Sequence, residues 1–201
     1  TTKQFRTSFA LAAGTYMDDN LAAENNVLGQ VYEASAGIKL TKQKEIWFDA
    51  GIFSSHIGFE GAIGADNLTL TRSLMADNSP YYESGFKLSY TSENKKWLLN
   101  LLCVNGWQRS IRLNESFKPS FGHQLMYKPN ASLTLNSSSF IGNDRPDSVR
   151  RMRYFHNLYA IWQMNKQLTF TGGFDIGWEQ KNTKSSAMYN WYTPVMIMGY
   201  K

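Results

Sequence analysis

The sequence predicts an all-β protein, a transmembrane antiparallel up-and-down β-barrel, on three observations. Apolar and polar residues alternate along many segments, these segments number about ten, and the connections between them are long and short in turn. A helix that crosses a membrane needs ~20 consecutive apolar residues. The most apolar run, 97–104, is far shorter and is interrupted by Asn100. A helical membrane protein is therefore excluded.

The alternation is clearest between 168 and 179, where even-numbered positions are mostly apolar and odd-numbered positions are polar or glycine. A period of two residues places the two kinds on opposite faces of a strand. The same pattern recurs at 5–13, 32–40 and 85–90. The predicted strands are 3–14, 27–40, 45–53, 81–91, 96–106, 119–128, 131–142, 150–163, 167–179 and 190–200.

Strand length and connection length both favour a membrane barrel. Several predicted strands have ten residues or more, as tilted transmembrane strands do, whereas strands of soluble sheets are usually ~5–6 residues long. Short turns are predicted at 42–44, 92–95, Pro129–Asn130 and 165–166, and long connections at 15–26, 54–80, 107–118, 143–149 and 180–189. Long outer loops opposite short periplasmic turns are typical of outer-membrane barrels, and a β-sandwich has no reason to show them.

Aromatic residues lie near the predicted strand ends, where an amphipathic ring suits the lipid–water boundary. The alternative is that they form the core of a soluble β-sandwich. The residues in question are Trp97, Trp107, Tyr127, Tyr154, Trp162, Trp178, Trp191 and Tyr192.

Composition restricts the function classes. The 201 residues suffice for a single barrel domain, 1–201, and the net charge of +5 comes from scattered Lys and Arg, so nucleic acid is not an expected partner. The three histidines do not have metal-ligand spacing, the acidic loops do not have EF-hand spacing, and the Gly-x-Ser-x-Gly motif is absent. We expect no metal, no cofactor and no enzymatic activity.

A succession of short motifs resembles the OmpL-like β-barrel porins of outer membranes, notably those of Bacteroidota. The motifs are 53–60 (FSSHIGFE), Asp66-Asn67, 71–73 (TRS), 79–85 (SPYYESG), 105–108 (NGWQ) and 154–156 (YFH). The resemblance covers roughly residues 30 to 180 and implies a pore in a Gram-negative outer membrane. Its members are generally longer, and the segment Gly199–Lys201 does not have the usual terminal aromatic residue. We therefore expect this stretch to be part of a larger barrel.

Charged residues fall on the faces opposite the apolar ones. They are predicted to line a pore, and they are Arg6, Glu33, Lys39, Asp49, Glu83, Lys87, Asp175 and Glu179. A charge inside a closed sheet needs either water or a counter-charge. Two explanations stay open, because the charges either border a wet channel or pair with one another across a plugged interior.

Segment 54–80 exceeds the ordinary ~12–15 residue limit for an unstructured connection, and its stretch Ile57–Gly64 is apolar enough to pack on a barrel wall. We predict that it folds inward and constricts the pore. The predicted constriction residues are His56, Phe59, Glu60, Asp66, Asn67 and Arg72.

The leading hypothesis is passive diffusion of small hydrophilic solutes through an outer-membrane porin. The alternatives are a non-conducting barrel that serves an envelope complex and a soluble sandwich that binds carbohydrate. Expected partners are outer-membrane lipid, lipopolysaccharide and small hydrophilic solutes, with a second copy or an envelope protein as further candidates. Lipopolysaccharide phosphates would suit the basic residues at the predicted outer rim, which are Arg109, Arg112, Arg150, Arg151 and Arg153.

Overall fold

A computed structural model describes residues 4–22, 24, 27–70 and 72–201 and contains ten strands. Every strand overlaps the one predicted at its place, and the bounds differ by at most four residues. Residue 3, at which the first strand was predicted to begin, lies outside the described residues. The strands are β1 (Phe5–Leu11), β2 (Val31–Lys39), β3 (Glu45–Ser54), β4 (Tyr82–Thr91), β5 (Trp97–Val104), β6 (Ser120–Asn130), β7 (Leu133–Gly142), β8 (Arg153–Gln163), β9 (Leu168–Gln180) and β10 (Met188–Tyr200).

The strands form one antiparallel sheet in which each strand pairs with its neighbours in the sequence, in the order β1 to β10. This confirms the predicted up-and-down topology. Pairing is long and regular at the end of the chain, where β9 and β10 stay in register from Gln180 opposite Met188 to Leu168 opposite Tyr200. Within the described residues, β1 and β10 are the two edges of this sheet.

Side chains of asparagine shape several of the short turns. The Oδ1 atom of Asn165 accepts hydrogen bonds from the backbone N–H groups of Gln167 and Leu168, both at 2.9 Å, which is common turn chemistry for this residue. The turn predicted at Pro129–Asn130 is wrong by two residues. A register irregularity after Tyr127 extends β6 through Asn130, so the chain reverses at 131–132.

The two faces of the sheet differ in polarity. The inner face carries polar and charged side chains, among them Arg6, Asp49, Asn100 and Asp175, and most of these positions are wholly or partly buried. The outer face is apolar and exposed. Its most exposed side chains include Phe5, Phe9, Tyr192, Met196 and Met198. An exposed apolar surface of this extent is expected of a sheet that faces lipid.

The aromatic residues divide between these faces. Trp97 and Tyr127 stack on the outer face with ring centroids 4.1 Å apart, as a girdle requires. Tyr154, Trp162, Trp178 and Tyr192 are also exposed on this face. The outer placement predicted for Trp107 and Trp191 is wrong. Both rings pack against a buried apolar cluster on the inner face, because Trp107 lies beyond the end of β5 and Trp191 occupies an inward position of β10.

Short helical segments interrupt the long loops and were not predicted, because they are too short to show a helical period. They are α1 (Thr15–Asn20), α2 (Leu74–Asp77) and three 3₁₀ turns at Leu28–Gln30, Gly64–Asp66 and Asp147–Val149. The Ser73 side chain caps α2 by accepting a hydrogen bond from the N–H of Ala76. In the described part of the chain, no helix is long and apolar enough to cross a membrane.

A pair of glycines lies at facing positions of β3 and β4. Gly51 and Gly85 lie opposite each other and adopt φ values of 131° and 151°. An added Cβ would overlap the carbonyl oxygen of Ala34 at the first position and that of Cys103 at the second. Glycine is therefore required at both. Both glycines lie a few residues from the long connection between β3 and β4.

Candidate functional site

We call the connection between β3 and β4, residues 55–81, the inner loop. Its described residues, 55–70 and 72–81, lie over the inner face of the sheet. His56, Ile57, Met75 and Ala76 of this loop are all buried, although a connection of this length would ordinarily be solvated. The loop reaches beyond the two strands that it joins and contacts the inner side of β6 to β9. This placement is what an inward-folded loop requires.

His56 attaches the beginning of the inner loop to the wall. Its Nδ1 lies 2.7 Å from Oε2 of Glu83 on β4, and its Nε2 lies 2.8 Å from the carbonyl oxygen of Ser139 on β7. The imidazole passes directly over Gly122, where an added Cβ would be 2.7 Å from Nε2. A side chain on β6 at that position would therefore displace the ring.

The electrostatics of this contact favour a charged imidazole. Burial disfavours the charged form of His56, but the charge and hydrogen bond of Glu83, together with the Ser139 carbonyl, outweigh burial and raise the pKa of His56. The protonated ring donates from both nitrogens, and both acceptors are in place. His56 and Glu83 were predicted in different groups, and the structure brings them together.

An apolar cluster lies beneath this part of the loop. It is formed by Phe53, Ile57, Leu102, Val104, Phe140 and Phe155, all at most 4% exposed. Ile57 belongs to the inner loop and the others to β3, β5, β7 and β8. Fully burying one such side chain stabilises by roughly 1.5–3 kcal/mol, so Ile57 holds the loop on the wall independently of charge.

Other residues of the inner loop, after His56, contact β8 and β9. The backbone N–H of Gly58 donates to Oδ1 of Asn157 over 3.3 Å, and the rings of Phe59 and Tyr159 meet edge to face with centroids 5.5 Å apart. Met75, 1% exposed, reaches Gly173, where an added Cβ would be 2.7 Å from its terminal methyl carbon. The absence of a side chain at Gly173 therefore makes room for Met75.

Two of the other predicted constriction residues, Glu60 and Asn67, hold the loop together internally. The Glu60 carboxylate accepts hydrogen bonds from the hydroxyl of Thr69 and from both the N–H and the hydroxyl of Ser73. Asn67 makes two hydrogen bonds with the backbone of Gly61, at 2.9 and 3.0 Å. Asp66 is exposed in the 3₁₀ turn. These contacts give the loop a defined shape.

Arg72 links the inner loop to the connection between β1 and β2. Its guanidinium lies 5.0 Å from the ring centroid of Tyr16 and 5.1 Å from that of Tyr81. The same group donates to the carbonyl oxygens of Gly61 and Ala62. Arg72 is thus a fixed structural cation. Burial is the largest cause of the raised pKa of both tyrosines, and the charge of Arg72 opposes that rise.

Five polar side chains from five adjacent strands form a hydrogen-bonded row on the inner face, which we call the amide ladder. The Nδ2 of Asn100 donates to Gln124, Gln124 donates to Asn136, Asn136 donates to Asn157, and Asn157 donates to Asp175, over 2.7, 3.0, 3.4 and 2.6 Å. Because a carboxylate only accepts, Asp175 sets the direction of the row. All five residues are buried.

Only Asp175 of this ladder was predicted as a functional residue. The other four are ordinary polar residues at inward positions, and alternation marks their face correctly. Their connection depends on the register between strands, for example Asn157 opposite Asp175 and Asn100 opposite Gln124. That register cannot be read from any one strand.

The predicted pore-lining charges fall into separate groups. Arg6 makes a bidentate pair with Asp49, and Lys39 pairs with Glu45. Glu33 instead accepts hydrogen bonds from the hydroxyls of Ser8 and Ser54. Glu83 is covered by His56, Asp175 ends the amide ladder, and Glu179 pairs with Arg153 at 2.6 Å. Lys87 lies over the Phe53 ring, 4.2 Å from its centroid.

A cavity of about 620 Å³ opens on the inner face near the short-turn ends of β3 to β5. The cations at its border are Arg6, Lys87 and Lys95, and the carboxylate at its border is Glu45. None of the inner-loop residues that the structure describes lines it. The inner face is therefore open at the short-turn end and covered by the loop towards the long-loop end.

Arg153, predicted at the outer rim, points to the inner face. It bridges Asp144, at 2.9 Å, and Glu179. Burial raises the pKa of Asp144, and Arg153 opposes that rise. Within the described residues, no group of three or more His, Cys, Asp or Glu side chains is placed to hold a metal ion.

Comparison with known proteins agrees with this architecture. The chain matches, over residues 1–201, the model of the family described as "Putative beta-barrel porin-2, OmpL-like". No curated protein and no solved structure matches it. The match covers the full length given, and the family implies a porin-like role and an outer-membrane location. The chain therefore belongs to the OmpL-like β-barrel porin family.

Proposed function

We propose that the protein is a passive channel for small hydrophilic solutes in the outer membrane of a Gram-negative bacterium and that it performs no chemistry. The observation that carries this proposal is the inner loop, which contacts the inner side of β6 to β9 instead of projecting into solvent. In a barrel wall, a loop held in this way narrows the passage without closing off the rest of the inner face.

The attachments support a constriction that is permanent instead of transient. The ion pair of His56 and Glu83 and the adjacent, buried Ile57 hold the beginning of the loop, and the buried Met75 holds a second point towards its end. The hydrogen bonds of Glu60 and Asn67 hold the intervening segment in shape. A loop with these contacts defines a fixed pore width, and pore width is one of the two physical sources of selectivity in a passive channel.

The charge of the side chains along the passage is the second source of selectivity. The cavity at the short-turn end has three cations and one carboxylate at its border, and the Arg6 side chain is also engaged with Asp49. Among the described residues, no carboxylate lies within ion-pairing distance of Lys87. The Lys87 side chain is only partly buried. This excess of positive charge favours anionic over cationic solutes of the same size.

A second candidate is a non-conducting barrel that serves an envelope complex. The amide ladder and the apolar cluster favour it, because both fill the inner face of β5 to β9 with side chains that are buried. The two candidates differ in whether the cavity near β3 to β5 continues through the barrel.

Recording from the purified, refolded protein in a planar lipid bilayer tests the proposal. Discrete conductance steps are expected, with a reversal potential that indicates anion preference. Protein that is folded by circular dichroism but gives no steps would overturn the channel and favour the non-conducting barrel.

A further inference from the structure

A second cavity, of about 580 Å³, lies at the long-loop end of the inner face, between the end of α2 and strands β8 to β10. Its walls combine aromatic rings with polar groups, among them Trp107, Trp191, Tyr189, Asp77 and Glu179. We propose that this cavity binds a neutral saccharide on its way through the channel. The inference rests on the proposed function, since it names the class of solute that the passage admits.

Trp191 is fixed as a platform. Its indole ring lies directly over the backbone of β9 at Gly177, where an added Cβ would overlap the ring. On its other flank the ring stacks beside Phe155, with centroids 6.3 Å apart and planes 30° apart. Glycine opposite a tryptophan thus lets the ring lie flat against the wall, with its remaining surface towards the cavity.

Trp107 forms a second rigid surface. Its ring meets Phe140 and Phe155 edge to face, with centroids 5.0 and 4.9 Å away, and the Arg153 guanidinium lies 5.0 Å from its centroid. Tyr189, which is exposed, completes the aromatic border. Rigid aromatic surfaces bind at a low cost in conformational entropy, because few torsions have to be restricted.

The charges at this cavity disfavour an anionic ligand. The cation that lines it, Arg153, is already bound to two carboxylates, those of Asp144 and Glu179. An anionic solute would have to displace one of them. Asp77, Asn78 and Thr193 provide further carboxylate, amide and hydroxyl groups at the same border. Hydroxyl groups of a solute both donate and accept, so they suit this mixture.

A saccharide ring can contact both the aromatic and the polar side chains of this lining. A pyranose has a flat face of C–H groups, which packs on an indole, and a rim of hydroxyls, which bonds to carboxylates and amides. The volume lies within the ~300–1,000 Å³ of small-molecule sites. An extended, flexible polyol has the same hydroxyls but no ring face, and it should bind more weakly.

The test uses maltotriose as the probe and sorbitol, an open-chain polyol without a ring face, as the comparison. Binding to the folded protein in detergent micelles is measured by titration calorimetry, and block of the ionic current is measured in planar bilayers. We expect wild type to bind maltotriose, Trp191→Leu to weaken binding about tenfold, and Trp191→Phe to retain most of it. Trp162→Leu, on the outer face, is the control. Tyr189→Ala, at an exposed position, is a second variant should Trp191→Leu fail to fold.

The outcomes separate the two proposals. Conductance steps with no maltotriose binding overturn the saccharide site and leave the channel standing. Sorbitol binding as tight as maltotriose binding also overturns the site. Equal maltotriose affinity in wild type, Trp191→Leu and Tyr189→Ala does the same. A folded protein without conductance steps overturns the channel and the role of this cavity in solute passage with it.

Discussion

His56 and Glu83 form a buried ion pair, with Nδ1 and Oε2 2.7 Å apart and both side chains at most 2% exposed. His56 lies at the beginning of the inner loop and Glu83 lies on β4 just after the end of the loop, so the pair closes the loop at its base. Removing one partner of a buried pair costs about 3–5 kcal/mol, because the remaining charge stays buried. The pair is therefore the natural place to test how the loop is held.

The first prediction concerns pH. Since the pKa of His56 is raised in the folded protein, its contribution to the free energy of unfolding is complete below the ordinary histidine pKa of ~6.5 and declines as pH rises through the folded value. The difference in urea-unfolding free energy between wild type and His56→Gln should therefore shrink with rising pH. A difference that grows above neutral pH would contradict this ion-pair account.

The second prediction concerns the attachment of α2. Met75→Ala removes a buried side chain from the space above Gly173 and should destabilise the protein by about 2–5 kcal/mol. Leu74→Ala, one residue earlier and 72% exposed, is the matched control and should change stability by less than about 0.5 kcal/mol. Equal losses in the two variants would show that α2 does not pack on the wall through Met75.

The third prediction concerns the amide ladder. Asn157→Asp replaces the donor to Asp175 with a second carboxylate and should destabilise by at least about 1–3 kcal/mol, the cost of a buried polar group without a partner. Asn182→Asp, in the exposed connection between β9 and β10, should have little effect. Thermal unfolding followed by circular dichroism measures both. An unchanged midpoint for Asn157→Asp would mean that water reaches the amide ladder and that its hydrogen bonds contribute little to stability.

The fourth prediction concerns charge selectivity. Lys87→Gln removes one of three cations at the cavity near the short-turn end, so the anion-to-cation permeability ratio should fall by roughly half. Lys42→Gln, in the exposed turn between β2 and β3, removes the same charge elsewhere and should leave the ratio unchanged. Reversal potentials under a salt gradient measure the ratio. Equal shifts in both variants would assign the effect to overall charge instead of the cavity.

The fold was predictable because alternation is a local property. Each strand, such as β9 with Phe174 outward and Asp175 inward, shows its two faces within its own residues. The turn after β6 was misplaced because an irregularity at 127–130 lengthens that strand. The position of Trp191 was misread because closeness to a strand end does not tell which face a ring occupies.

The site was predictable only in outline. The length and apolar content of the inner loop indicated that it folds inward, and it lies against the inner face of the sheet. Its contacts with Ser139, Asn157 and Gly173 join positions that are distant in sequence, and no local pattern indicates them. The same is true of the amide ladder, which exists only because five strands share one register.

The central claim is that the inner loop narrows the passage. The measurement that tests it most directly is the single-channel conductance of a variant lacking residues 58–68, compared with wild type and with a variant lacking the exposed residues 182–186. We predict a conductance roughly twofold or more above wild type for the first deletion and no change for the second. An unchanged conductance in the 58–68 deletion, with the protein folded, would contradict the account.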